Sequence, residues 1–288
     1  MRSCSDADQS TGSVVRNVLR HKRGQSTATL DHVVEELPVA LVFNGLSHAV
    51  MMATPIDLEC FALGFALSEG IVDRPGDVFD IETFIRADEA EVQLTVSQQA
   101  FMELKDKRRA LAGRSGCGVC GIESIELLDL RPERIVPSGT VALISNEAIE
   151  RAARGLPAHQ RLMHETGGIH AAAWCSASGD VLHGFEDVGR HNALDKLIGL
   201  LAREHIDTSS GFVFLSSRAS YELVRKVARM RIHTLATISA PTSLAISIAQ
   251  QAGIRLLSFC RGDGFVEYLA DDSAARDNDT TLNRPQTA

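Results

Sequence analysis

Hydrophobic and polar positions change their rhythm once along the chain, close to its middle. From Thr27 the rhythm is that of strands: Val33, Val34 and residues 37–43 are apolar-rich, Asn44-Gly45 is a two-residue hairpin signal, and residues 46–52 return as partner. Pro55 and Asp57 then open a helix in which Phe61, Leu63, Phe65, Ala66 and Leu67 cover most of the girth, with Gly70 ending it. A helix apolar nearly all round belongs in a core. Residues 78–86 and 91–96 read as a second hairpin turning at Asp88-Glu89, and a helix over 99–112 follows. This half, residues 27–140, predicts a smaller N-terminal α+β domain.

The second half alternates. After a helix over 146–154, residues 168–174 and 181–185 form a strand pair turning at Ser178-Gly179-Asp180. Leu194, Leu197, Ile198 and Leu201 then fall on one helical face. Strand 212–215, helix 221–230, strand 235–239, helix 243–252 and strand 254–259 complete the series. Short apolar strands between amphipathic helices predict an α/β domain over 141–270 with a mostly parallel sheet. Residues 1 to 26 and 271 to 288 are polar and aperiodic, and read as disordered tails.

Composition narrows the class. The chain has 288 residues, 44% of them hydrophobic and 23% charged, as in ordinary globular proteins. No apolar run is long enough to span a bilayer, and the first residues lack an apolar core for export. Six cysteines in a chain of this length point to a reducing compartment, so a cytoplasmic location is expected, without membrane attachment. A net charge of −8 argues against a protein that coats nucleic acid.

The chemistry concentrates in Arg114-Ser115-Gly116-Cys117-Gly118-Val119-Cys120-Gly121. Glycines between and beside the two thiols make a pliable loop that leaves sulfur accessible. Lys105, Lys107, Arg108, Arg109 and Arg114 lie just upstream, opposed only by Asp106, and nearby cations favour the reactive thiolate. Half a zinc site, a thioredoxin-like redox pair and two ordinary reduced cysteines are competing readings. Zinc lacks a second ligand pair, because Cys4, Cys60, Cys175 and Cys260 are scattered. The redox pair lacks the strand-to-helix setting, since residues 122–130 read as mixed strand and turn. A thiolate carrying a covalent adduct such as a persulfide, and hence sulfur transfer, leads.

Ligands of open α/β sheets collect at the carboxyl ends of the strands. Four loops there are polar: Glu186-Asp187-Val188-Gly189-Arg190-His191-Asn192, Ser216-Ser217-Arg218-Ala219-Ser220, Ala240-Pro241-Thr242-Ser243 and Cys260-Arg261-Gly262-Asp263-Gly264. Any one hydroxyl at a helix start is an ordinary cap. Four loops with two arginines near helix N-termini favour an anion, and a phosphate-bearing ligand fits. His170, after Thr166-Gly167-Gly168-Ile169, is read chiefly as a structural hydrogen-bonding histidine and secondarily as an acid–base group. Phe61, Phe65 and Trp174 are read as core.

Met51-Met52-Ala53-Thr54-Pro55, Ala62-Leu63-Gly64-Phe65-Ala66-Leu67-Ser68-Glu69-Gly70, Cys117-Gly118-Val119-Cys120-Gly121, Thr166-Gly167-Gly168-Ile169-His170-Ala171-Ala172, residues 186–196, Ser217-Arg218-Ala219-Ser220 and residues 239–245 occur in order. Together they resemble the FdhD/NarQ family of formate dehydrogenase accessory proteins over residues 28–269. The resemblance implies a cytidine deaminase-like core, a homodimer, and a sulfurtransferase without permanent cofactor. Such a protein takes sulfane sulfur from a cysteine desulfurase and passes it to the molybdenum bis(molybdopterin guanine dinucleotide) group destined for formate dehydrogenase, with GDP or GMP as a mimic. It implies Cys117 as the persulfide bearer, Cys120 as its assistant, and Phe259, Cys260, Arg261, Gly262, Asp263 and Gly264 as the cofactor loop. Asp263 makes that loop less basic than in some relatives. Arg190, His191, Arg218 and Ser220 join the expected binding set, with no resident metal. Deaminase chemistry is not expected, because no H-x-E with P-C-x-x-C is present. No P-loop or G-x-G-x-x-G supports nucleotide hydrolysis. The rival reading is a cofactor-binding chaperone that does not touch sulfur.

Overall fold

The computed structural model describes residues 11–110, 132–136, 139–262 and 264–269. Strand β1 (Ser13–Lys22) turns at Arg23-Gly24 into β2 (Gln25–Val34), and the two pair antiparallel along their whole length. The tail expected over residues 1 to 26 is thereby corrected from Thr11 onward. Val14, Val15, Val18 and Leu19 supply strand-forming side chains, and Gly24, at φ 78°, supplies the turn. Residues 1–10, and the C-terminal stretch expected to be a tail, lie outside the described residues.

β3 (Leu37–Phe43), β4 (Leu46–Ala53), β5 (Val78–Ile85) and β6 (Ala90–Val96) form one sheet in the order β4-β3-β6-β5. Its inner face packs on α1 (Leu58–Ser68), whose side chains are buried from Cys60 through Ser68. α2 (Gln98–Ala110) follows, with the Lys105 ammonium 5.4 Å from the Phe101 ring. The strands and helices fall where the sequence places them, but the antiparallel sheet expected from the two hairpins is mixed, because β3 and β6 pair parallel.

In the second half α3 (Asn146–Gly155), capped by Ser145, precedes the short α4 (Arg161–Thr166). β7 (His170–Ser176), β8 (Val181–Asp187), α5 (Arg190–Arg203), β9 (Gly211–Leu215), α6 (Tyr221–Arg229), β10 (Thr234–Thr237), α7 (Ser243–Ala252), β11 (Arg255–Arg261) and β12 (Gly264–Tyr268) follow. The six strands run in the order β12-β11-β10-β9-β7-β8. Only β9, β10 and β11 are parallel neighbours; β7 with β8, β7 with β9, and β11 with β12 are antiparallel. The expected mostly parallel sheet is therefore mixed. Tight turns join β7 to β8 and β11 to β12, and a tight turn cannot join parallel strands. β12 and α4 had no expectation in the sequence reading.

Side chains alternate across this sheet. Val213 and Leu215 face the core shared with α5, α6 and α7, while Phe212 and Phe214 face α3. Trp174, Phe61 and Phe65 are core residues as expected. One hydrophobic cluster runs continuously from the four-stranded sheet through α1 and α5 to the six-stranded sheet. At the α1–α5 crossing the backbones nearly touch: a Cβ on Gly64 would fall 1.7 Å from the Asp195 carbonyl oxygen, and one on Gly199 would fall 1.9 Å from that of Cys60. Only glycine permits this approach.

Candidate functional site

Because β8 is antiparallel to β7, and β7 to β9, strands β8, β9, β10 and β11 all end at one rim. β7 begins there. Backbone hydrogen bonds continue beyond the strands and hold the rim loops side by side. Ser216 N donates to Ala171 O at 2.9 Å, Ile238 N to Leu215 O at 3.0 Å, and Thr242 N to Ala219 O at 3.0 Å. The N-termini of α5, α6 and α7 open onto the same rim, so their free amides and positive dipole ends gather along one line.

The side chains of the 186–196 motif are sorted by this geometry. Glu186 accepts from the amides of Leu162 and Met163, both at 2.8 Å, and so caps α4. Asp187 is fully buried, pairs with Lys196 at 2.7 Å, and accepts from Thr54 N, Gly189 N and Asn192 Nδ2. Lys196 also donates to Thr54 O at 3.0 Å, which fastens the β4–α1 loop to α5. Asp195 receives Lys226 on both carboxylate oxygens at 2.9 Å and Ser68 at 2.7 Å. Lys226 reaches Glu69 as well, at 2.7 Å. Burial opposes the Lys226 ammonium, but Asp195 and Glu69 outweigh it and raise its pKa. Most of the motif is therefore scaffold that joins the two halves.

Arg190 and His191 are left facing the rim. Arg190 is the first residue of α5, and its Nε is shut off from solvent without a hydrogen-bond partner among the described residues. His191 Nε2 lies 3.8 Å from Glu222 Oε2 in the first turn of α6. His191 chiefly holds the Glu222 carboxyl at about 2, against burial and with help from its own amide and Ser220. Ser220 is buried as the α6 N-cap residue, and Arg218 is exposed beside it. His170, opposite Asp187 on the neighbouring strand, is half-buried. Burial, then Arg190 and His191, lower its pKa. No described residue hydrogen-bonds its imidazole, which stands half-buried beside Arg190 and His191 and is held toward its neutral form. The sequence signal that marked it was the preceding glycine pair; next to Gly167 nothing stands where a Cβ would go.

At the far side of the rim, β11 bulges between Ser258 and Arg261. Phe259 takes φ 56°, an unusual state for an aromatic residue, and turns its ring outward. Arg261 and Gly262 are exposed. Cys260 points the other way into the core, and burial pushes its thiol up to about 11, so only its backbone is available to a ligand. Asp263 lies outside the described residues, as do Cys117 and Cys120. Burial raises the thiols of Cys60 and, to about 12, Cys175, which are therefore inert. Among the described residues no cluster of three His, Cys, Asp or Glu side chains offers a metal site. A cavity of about 360 Å³ sits at the opposite ends of α5 and α6, lined by Ile198, Leu201, Ala202, Ile206 and Met230, and lacks the cations of the rim.

Known proteins match along nearly the whole chain. The model of the FdhD/NarQ family matches residues 34–274. The Sulfur carrier protein FdhD of Burkholderia mallei is 62% identical over 271 residues, covering 92% of this chain and 98% of that protein. That of Chromobacterium violaceum is 64% identical over 254 residues, with 88% and 94% coverage. The crystal structure of a protein assigned as a formate dehydrogenase accessory protein, from Desulfotalea psychrophila, superposes with a TM-score of 0.67 at 20% identity. It covers 90% of this chain and 98% of that one, and shows the fold to be shared.

Proposed function

The chain belongs to the FdhD/NarQ family, and from that premise we propose that it is a persulfide-carrying sulfurtransferase in the maturation of formate dehydrogenase. Its client group is molybdenum bis(molybdopterin guanine dinucleotide), bound as substrate along the rim of the six-stranded sheet. The observation that carries this reading is the convergence of Arg190, His191, His170, Arg218 and Arg261 with three helix N-termini on one edge. Phosphate oxygens of a dinucleotide satisfy such a surface, and the unpartnered Arg190 Nε is a donor awaiting them. The outward Phe259 ring suits a guanine face. The mixed sheet with helices on both faces accords with a cytidine deaminase-like core.

The sulfur chemistry belongs to Cys117 and Cys120. The Cys117 thiolate attacks the outer sulfur of a cysteine desulfurase persulfide; that S–S bond breaks, the donor leaves as thiolate, and Cys117 becomes the persulfide. Attack by Cys120 on the inner sulfur then expels the outer sulfur as sulfide and leaves a Cys117–Cys120 disulfide. The pair thereby supplies the two electrons that turn sulfane sulfur into sulfide. The rim's role is to orient the receiving group. The protein acts in the cytoplasm as a homodimer, with the desulfurase as donor and formate dehydrogenase as final client. Among the described residues no helix is long and apolar enough to cross a membrane.

Incubation with a desulfurase and radiolabelled cysteine tests this reading. Label should bind the wild type and be absent from Cys117→Ala. Undiminished loading of that variant would return the protein to the role of a chaperone that binds the group without carrying sulfur.

A further inference from the structure

Among the described residues, the side-chain contacts of the β1–β2 hairpin with the body lie near its base. Arg161 donates to Thr11 O at 2.6 Å, Ser13 Oγ donates to Glu165, and Leu162 packs against Gly12. Beyond that base no described residue covers the ribbon, and a lone two-stranded ribbon is marginal in water. Register places Val15, Leu19, Ala28 and Leu30 on one face, because Val15 is opposite His32, Asn17 opposite Leu30, and Leu19 opposite Ala28. Val15, Leu19 and Leu30 are 48%, 58% and 62% exposed. An apolar face this open, on a strand pair with no further strand beside it among the described residues, is the kind that proteins cover. The ribbon is also basic, with Arg16, Arg20 and Lys22 on the face opposite the apolar one and Arg23 in the turn, against Asp31 alone, in a chain of net charge −8. Lys22 and Arg23 form the tip.

A matching surface exists elsewhere on the molecule. β5 is the edge strand of the four-stranded sheet. It exposes Phe79, Phe84 and Ile85, with Phe79 67% exposed. Around them stand Asp77, Asp80, Glu82, Asp88, Glu89 and Glu91 against Arg86 and against Arg74, which pairs with Asp77. The ribbon has an apolar face and a basic tip, the β5 surface is apolar and acidic, and no described residue covers either of them.

We propose that the β1–β2 arm of one copy lies on the β5 edge of a second copy, with each arm clasping the other's body. Area selects a second copy over an unrelated partner. Two ten-residue strands at about 3.3 Å per residue and a ribbon about 10 Å wide present about 300 Å². One arm on a foreign protein would bury about 600 Å² in total, the size of an incidental contact, whereas two reciprocal arms bury about 1,200 Å², where stable interfaces begin. Reciprocity is what a twofold axis supplies. The inference rests on the homodimer of the proposed function and names its surface.

Sedimentation velocity of the full chain tests it. The wild type should be dimeric, and Leu19→Asp with Leu30→Asp should raise the dimer dissociation constant at least about a hundredfold, since both charges would have to be buried. Lys22→Glu with Arg23→Glu, and separately Asp80→Lys with Glu82→Lys, should each weaken the dimer. Mixing these two reversed proteins should restore it, because each arm then meets an opposite charge; restoration also shows that both fold. A dimer that persists in all arm variants, or reversed proteins that do not recover together, overturns the assigned surface and leaves the homodimer standing. A monomeric wild type overturns both.

Discussion

Arg190 illustrates how a single side chain separates ligand binding from structure. Its neighbours Asp187, Asn192 and Lys196 are locked into buried pairs, whereas its Nε has no described partner. Arg190→Ala should weaken GDP binding about tenfold, by loss of a charge-assisted hydrogen bond, while leaving the circular dichroism unchanged. Titration calorimetry reads the first and far-ultraviolet spectra the second; unchanged affinity would remove Arg190 from the site. Cys120→Ser should still take up sulfur, seen as a gain of about 32 Da at Cys117, yet release no sulfide to a colorimetric assay. Release at the wild-type rate would remove Cys120 from delivery. At this scale the sequence was a good guide to chemistry but not to orientation. Nothing in the order Phe259-Cys260-Arg261 tells which side chain faces the rim; the β11 bulge turns Phe259 out and sends Cys260 into the core.

Elements carry their own predictions, and the α1–α5 crossing is the most exacting. Gly64→Ala would drive a Cβ to 1.7 Å from the Asp195 carbonyl. The helices must then separate, at a cost of about 3 kcal/mol or more, which should lower Tm by roughly 5–10 °C in a scanning calorimeter. A variant melting with the wild type would show that the helices do not approach this closely. Lys226 bridges α6 to both carboxylates across the crossing, so Lys226→Met should cost about 3–5 kcal/mol in denaturant unfolding, by leaving buried charge uncompensated. Adding Asp195→Asn should recover part of that loss. Periodicity made most of these elements legible, because a 3.6-residue or two-residue repeat is a local property. The β1–β2 hairpin was missed since its strands expose most of both faces, so polar residues dilute the pattern that normally marks a strand.

Over the whole molecule, stability should fall in acid. Burial works to raise the Glu69 carboxyl, but Lys226 and Arg225 outweigh it and hold it at about 2. Glu222 is likewise held at about 2, mainly by His191. A lowered carboxyl pKa stabilises the fold fully above the ordinary value near 4.3, and that stabilisation is lost as pH falls toward 2. His170 adds to the same trend from about pH 6.5 downward, because the unfolded imidazole takes up a proton more readily than the buried one. Urea unfolding at successive pH values should therefore show a steep acid limb, shallower in Glu69→Gln by up to about 2 kcal/mol. An identical limb in that variant would mean that Glu69 is not paired in the fold. The ordered motifs were enough to place the chain in its family, and apolar spacing was enough to set the order of helices and strands. Both are written in short-range sequence. Strand direction and the sorting of one motif into scaffold and rim were decided only in three dimensions, because both depend on which distant segments become neighbours. Asp187 meets Thr54 and Asp195 meets Lys226 across long stretches of chain, and these pairings alone leave Arg190 and His191 at the edge.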